Sequence, residues 1–210
     1  MSNLEKIESF VEDKIKRVRD KAIILKTVSV RTWVIIGVIF AFLCAFWEWL
    51  VGWIGNLILG KPFFIYPFSS LKYTDPTGIA TWGAFAVVTM FIAMHVAKLT
   101  AVKHVMLTVK EDYALVKDYL SDKFVLPKRI RLRHLVIAGV IGAIVGTICE
   151  GLGGFIFQFA RGHIVWIYPS SILKYTSFAS IPIWGMFSVV YFVLTYNLIL
   201  LLERKQIEHA

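Results

Sequence analysis

Charge is scarce in this chain, and it is missing from the stretches where it would do most to keep a protein in water. Asp, Glu, Lys and Arg make up 18% of the 210 residues, against 58% hydrophobic and 15% aromatic, a balance too apolar for a water-soluble domain. Cysteine is nearly absent. Cys44 and Cys149 both lie in apolar segments and are not equivalent in the repeat described below, which excludes a disulfide framework. A Walker-type phosphate loop, HExxH, CxxC and GxSxG are missing too, so the common nucleotide, zinc and hydrolase signatures are excluded and no metal site is expected. The five histidines are scattered, and no cofactor is named by any motif.

What is present is length without charge. Sixteen uncharged residues separate Arg31 from Glu48 and twelve separate Glu48 from Lys61; between Arg133 and Arg161 the one acid is Glu150. Two further runs, Pro76 to Ala97 and Tyr175 to Leu202, carry no charge. Each is long enough to cross a hydrocarbon core about 30 Å thick, so the expected fold class is an all-α integral membrane protein with four transmembrane helices. Nineteen of the 23 basic residues fall in 1–31, 98–133 and the C-terminal tail. The positive-inside rule therefore puts both termini and the central connector in the cytoplasm of a multi-pass protein of the cell membrane. The charged first 31 residues, and an apolar run too long for an h-region, argue against a cleaved leader. The net charge of +9 reads as attraction to anionic headgroups, with no nucleic-acid partner.

The chain also says one thing twice. Gly60 to Val88 returns as Gly162 to Val190 under a constant shift of 102, with 15 of 29 positions identical, IYPFSSLKYT and WGAF becoming IYPSSILKYT and WGMF. The organisation expected is an amphipathic helix over 1–31, a first repeat over 32–100 with an outer loop at 60–77, and an amphipathic connector over 101–133. A second repeat follows over 134–203 with an outer loop at 161–178, then a tail over 204–210. The amphipathic reading rests on Leu4, Ile7, Val11, Ile15, Val18, Ala22 and Leu25, and on Met106, Val109, Tyr113, Val116 and Leu120, all at three-and-four spacing. Two helices per repeat make the copies parallel, with a pseudo-twofold axis along the membrane normal.

The shift carries Glu48 onto Glu150, each a lone acid in an apolar run. An intramembrane carboxyl costs about 2.5–3.5 kcal/mol when central and must be offset. Ala138, Gly142, Gly146, Glu150 and Gly154 recur every four residues, a small-residue face that admits close helix approach, whereas the first copy has the bulkier Phe40, Cys44, Glu48 and Gly52. The third helix is therefore expected at the bundle centre. If the axis passes between the first and third helices the two acids face each other, as a shared ligand or ion site or as proton-transfer groups. Alternatively, each bonds to a Tyr, Trp or Lys of its own loop and locks helix to loop. Glu48 and Glu150 are the candidate catalytic pair, and Tyr66, Lys72, Tyr73, Trp82, Tyr168, Lys174, Tyr175 and Trp184 the candidate ligand-binding set. An aromatic belt accounts for the rings, but a preserved polar order is better explained by a loop folded over the bundle mouth that brings Lys72 or Lys174 toward Glu48 or Glu150.

The order Glu150, then IVWIYP ending at Pro169, then SIPIWGMF from Ser180 to Phe187, resembles small carotenoid-modifying membrane proteins, the lycopene cyclase domains and the bisanhydrobacterioruberin hydratases. The cyclase pattern has paired acids where this chain has Pro182, Ile183, Trp184 and Gly185. The resemblance therefore implies a shared helical fold and an isoprenoid or lipid ligand rather than cyclase chemistry. The leading expectation is a protein that binds or processes a lipid or isoprenoid near its outer face. An ion or proton pathway through Glu48 and Glu150, and a structural subunit of a larger membrane complex, stand beside it. The partners expected are membrane lipids, a second copy of the chain, or other membrane subunits.

Overall fold

A computed structural model describes Lys16 and residues 22–70, 72–108 and 123–208. Its frame is four helices, each long and apolar enough to cross a bilayer. Helix α1 (Val30–Leu59) begins at Ser29, whose backbone is extended and whose hydroxyl accepts the Thr32 N–H at 3.2 Å, satisfying one of the donors a helix start leaves open. It ends at Gly60 in the left-handed conformation, φ 63°, which a residue without Cβ adopts freely. Helix α3 (Leu132–Arg161) repeats both boundaries 102 residues on and ends at Gly162 with φ 70°. Thirty residues make about 45 Å of helix, more than the core requires. Helix α2 (Pro76–Thr108) opens on proline, where the missing N–H costs nothing; α4 (Ser180–Leu202) and the short α5 (Arg204–Glu208) complete the set.

Two of these boundaries differ from the sequence reading. Helix α2 runs through Lys98 and Lys103 to Thr108, so the connector starts as a continuation of the membrane helix. Ala22 and Leu25 belong not to an amphipathic helix but to strand β1 (Ala22–Leu25), paired antiparallel with β2 (Phe124–Pro127) in the register Ala22 to Pro127. The reason is local. AIIL and FVLP are short unbroken apolar runs, for which periodicity does not separate strand from helix, and Leu25, Val125 and Leu126 are fully buried. Met106 lies in α2; Leu4, Ile7, Val11, Ile15 and Val18, and Val109, Tyr113, Val116 and Leu120, lie outside the described residues.

Packing places the second and fourth helices, not the third, at the centre. Of the apolar stretch of α2, 44% is buried, and of α4, 33%, against 22% in both α1 and α3. Helix α1 packs chiefly on α2, and α3 on α4, while α2 also touches α3 and α4. The glycine face of α3 serves the α3–α4 contact: a Cβ at Gly146 would lie 2.6 Å from the Trp184 ring, and one at Gly154 2.6 Å from Tyr175. Val136, Val140 and Ile144 on α3, like Val34, Val38 and Phe42 on α1, remain exposed, as expected of helix faces turned to lipid.

At the end of the bundle opposite the repeated loops, Glu203 joins first and last helices. Its Oε1 accepts the Ser29 N–H at 2.8 Å and the Thr32 hydroxyl at 2.7 Å, placing a carboxylate at the positive end of α1. Nearby, the Tyr196 hydroxyl donates to the Pro127 carbonyl at 2.9 Å and fixes the strand pair to α4.

Candidate functional site

The repeated loops share a set of hydrogen bonds. Tyr66 N–H donates to the Lys72 carbonyl at 2.8 Å, Ser69 N–H to Tyr66 and Lys72 N–H to Ser69, both at 3.2 Å; the second loop has the same three bonds among Tyr168, Ser171 and Lys174 at 2.7, 3.0 and 3.2 Å. The Ser69 hydroxyl donates to the Thr74 carbonyl and Ser171 to that of Thr176, at 2.6 and 2.7 Å. Lys72 and Lys174 stand at φ 59° and 56°, the two positive-φ residues other than glycine among the described residues. The polar order Ser, Lys, Thr is thus a folding pattern that closes a compact loop and presents Thr74 and Thr176.

Those threonines, with Tyr66 and Tyr168, are what the glutamates meet. Tyr66 donates to Glu48 Oε1 at 2.5 Å and Thr74 to Oε2 at 3.2 Å. Tyr168 donates to Glu150 Oε1, and Thr176 to Oε2 at 2.7 Å. Trp82 adds a third donor in the first copy, its indole N–H reaching the Tyr66 hydroxyl at 3.1 Å. Two hydroxyl donors per carboxyl are what a buried acid needs to offset lost hydration. Tyr66 and Tyr168 are held well above the ordinary tyrosine range, first by burial and then by the neighbouring carboxylates, so both remain neutral donors.

The lysines do not take this role. Lys72 and Lys174 are exposed, with their ammonium groups 5.2 and 5.1 Å from the ring centres of Tyr73 and Tyr175. The left-handed backbone turns each side chain away from the bundle. Tyr73 and Tyr175 themselves brace loop against helix, resting on Gly52 and Gly154, and the Trp166 indole donates to the Tyr175 carbonyl at 3.1 Å.

Both acids reach one cavity of about 40 Å³, above the roughly 10–15 Å³ needed for a single water. It is walled by Trp47, Val51, Phe63, Phe64, Trp82, Tyr168, Trp184 and Phe187, among others, and reaches Glu48 and Glu150 between α1 and α4. Trp82 and Trp184, equivalent under the 102 shift, meet at 5.2 Å between ring centres. Of the candidate residues, Glu48, Glu150, Trp82, Tyr168 and Trp184 converge on the cavity; Tyr66 stands behind Glu48; Tyr73 and Tyr175 are braces; Lys72 and Lys174 lie outside.

The copies are not equal around this space. On the α3 side Val51 is replaced by Gly153, where an added Cβ would meet Phe85 at 3.4 Å and Trp166 at 3.5 Å; those rings fill the place. On the α1 side Val51 and Trp47 hold the corresponding gap open. Toward the other end of the bundle the interior is packed with fully buried Ile36, Phe40, Met90, Met94 and Ile199, and Phe40 stacks on Tyr191 at 4.5 Å.

Sequence reasoning passed over Thr74, Thr176 and Ser180 as site residues. The first two were visible as part of the repeated string; Ser180, whose counterpart is Gly78, carries no repeat signal at all. Among the described residues no three His, Cys, Asp or Glu side chains lie close enough to hold a metal ion. Compared with protein-family models, curated proteins and solved structures, the chain matches none.

Proposed function

We propose that this is a multi-pass membrane protein built by tandem duplication, which binds the polar end of a lipid or isoprenoid at the paired glutamates. The observation that carries the reading is the single cavity, shared by both carboxyl groups and walled by α1 and α4 beside lipid-facing residues such as Phe46 and Ile181. Its volume of about 40 Å³ suits a polar group and not an acyl or isoprenoid chain, so the chain would lie outside, along the seam of the two helices. The duplication is supported by the constant shift of 102 in loop bonds, helix bounds and acid partners. On this reading the copies are parallel, about an axis along the membrane normal. Nineteen basic residues away from the loops favour an orientation with both termini in the cytoplasm and the loops outside. The resemblance to carotenoid-modifying proteins adds isoprenoids to the ligand classes worth testing.

A through-going ion pathway is less well supported, because the buried apolar plug of Ile36, Phe40, Met90, Met94 and Ile199 separates the acids from the far end. The test is gentle purification followed by mass spectrometry and absorbance of co-purifying lipids and pigments, with Glu48→Gln and Glu150→Gln alongside. A lipid retained by the wild type and lost from both variants supports the reading. Absence of any retained lipid, together with pH-dependent flux abolished by either variant, overturns it in favour of conduction.

A further inference from the structure

We infer that the cavity between α1 and α4 is a receptor for a primary ammonium group, its three N–H donors shared by Glu48, Glu150 and the Ser180 hydroxyl. This deepens the proposed lipid reading and rests on it only for the source of the amine. Three independent observations converge. The first is electrical: among the described residues the cavity wall holds two carboxyl groups and no Lys, Arg or His, so nothing cationic from the protein balances the acids.

The second is the wall itself. Trp47, Trp82, Trp184, Phe63, Phe64 and Phe187 surround the acids, and aromatic faces attract cations most strongly where water is excluded. An anion or a neutral acceptor would find repulsion from both carboxylates and ring faces.

The third is an unused polar atom. Ser180 is 1% exposed and lines the cavity, yet its Oγ has no hydrogen-bond partner; it lies beside Glu150 and Tyr168 without reaching bonding geometry with either. A buried hydroxyl left unpaired costs free energy, and a donor arriving in the cavity would remove that cost. The loop hydroxyls of Tyr66, Thr74, Tyr168 and Thr176 each donate to one of the four carboxyl oxygens, which leaves every oxygen a second lone pair to offer a donor in the cavity. An ammonium nitrogen is close to a water molecule in size and fits about 40 Å³, whereas a trimethylated nitrogen has no N–H to share and needs more room.

The amine belongs either to a lipid headgroup or to a small soluble amine, and the test separates them. Full-length protein is placed in nanodiscs of phosphatidylcholine with phosphatidylethanolamine or phosphatidylglycerol added, and retained lipid is measured by native mass spectrometry. In parallel, free ethanolamine is titrated against tryptophan fluorescence, since three tryptophans line the cavity. The expected result is about tenfold preference for phosphatidylethanolamine over phosphatidylcholine, matching one charge-assisted hydrogen bond. Ser180→Ala should weaken that preference severalfold, and Glu48→Gln with Glu150→Gln should abolish it.

Equal retention of the lipids, with no response to ethanolamine, overturns the ammonium inference while leaving lipid binding standing. A response to ethanolamine with no lipid retained upholds the inference and overturns the lipid reading. Because the headgroup comparison uses the unaltered chain, it decides the matter even if the glutamate variants fail to fold.

Discussion

Ile65 and Ile167 stand 102 residues apart and exchange both of their backbone hydrogen bonds, each N–H donating to the other's carbonyl at 3.0 Å. Each residue thus pairs antiparallel with the one that holds its place in the other loop's sequence. Around it, Phe64 faces Tyr168 and Trp166 faces Tyr66 at 5.8 and 6.2 Å, the same contact made twice. The pairing ties the two loops together.

Removing one donor from that bridge should loosen both loops. Ile65→Pro and Ile167→Pro each delete an N–H and leave a carbonyl unpaired, at a cost of about 1–3 kcal/mol, while Ile65→Val should change little. Thermal unfolding in detergent reads the difference; equal melting of all three would show that the bridge holds nothing.

Tyr66→Phe should be more damaging than Tyr168→Phe. The first strands both the Glu48 carboxyl and the Trp82 indole N–H, which donates to Tyr66, whereas the second removes a donor from Glu150. Each orphaned buried group costs about 1–3 kcal/mol. Comparing unfolding midpoints of the two variants tests the order, and reversal would mean that Trp82 finds another acceptor.

Gly146→Ala should destabilise the α3–α4 contact by about 1–3 kcal/mol, because its Cβ would meet the Trp184 ring at 2.6 Å. Gly139→Ala, with Val189 at 3.3 Å, asks a movable methyl to give way and should be mild. Trp184 also lines the cavity, so loss of amine response in the first variant and not the second would accompany the stability change.

Alkaline pH should weaken the fold before it ionises the two loop tyrosines. Burial raises the proton affinity of Tyr66 and Tyr168 in the folded chain. Stability is therefore complete below the ordinary tyrosine value of about 10 and falls as pH rises past it, the unfolded chain shedding protons that the folded chain keeps. Tyrosinate absorbance in the native protein should lag that of the denatured protein, with Tyr66 and Tyr168 among the residues that lag, and coincident curves would contradict the buried assignment.

Glu203→Gln should cost about 1–2 kcal/mol by withdrawing a negative charge from the start of α1, where Ser29 and Thr32 bond to it. Glu203→Asp, with a shorter reach, should recover only part. Limited proteolysis near the strand pair, measured for both variants, checks whether that end of the bundle opens.

The four spans were legible because charge stops at Arg31 and Arg133 and, Glu48 and Glu150 apart, resumes only at the loops, and a bilayer core needs that much nearly uncharged chain. Glu48 and Glu150 were legible as a pair through the shift of 102. Which hydroxyls would face them was not: Lys72 reads as the natural partner of an acid, and only the left-handed backbone at that residue, a three-dimensional fact, turns it outward. The centre of the bundle was misjudged for a related reason. The small residues of α3 make a face that something must approach closely, and the sequence does not say whether that neighbour is α1 across the axis or α4 within the same repeat. Ala22 and Leu25 satisfy helical spacing as well as they satisfy a strand, and only β2, a hundred residues later, decides between them.

The shared cavity sets a stoichiometry. Two matching acids would lead one to count two guests per chain, but Glu48 and Glu150 line one space of about 40 Å³ between α1 and α4, room for a single small group. The two carboxyls are halves of one receptor, and one guest per polypeptide would fill it.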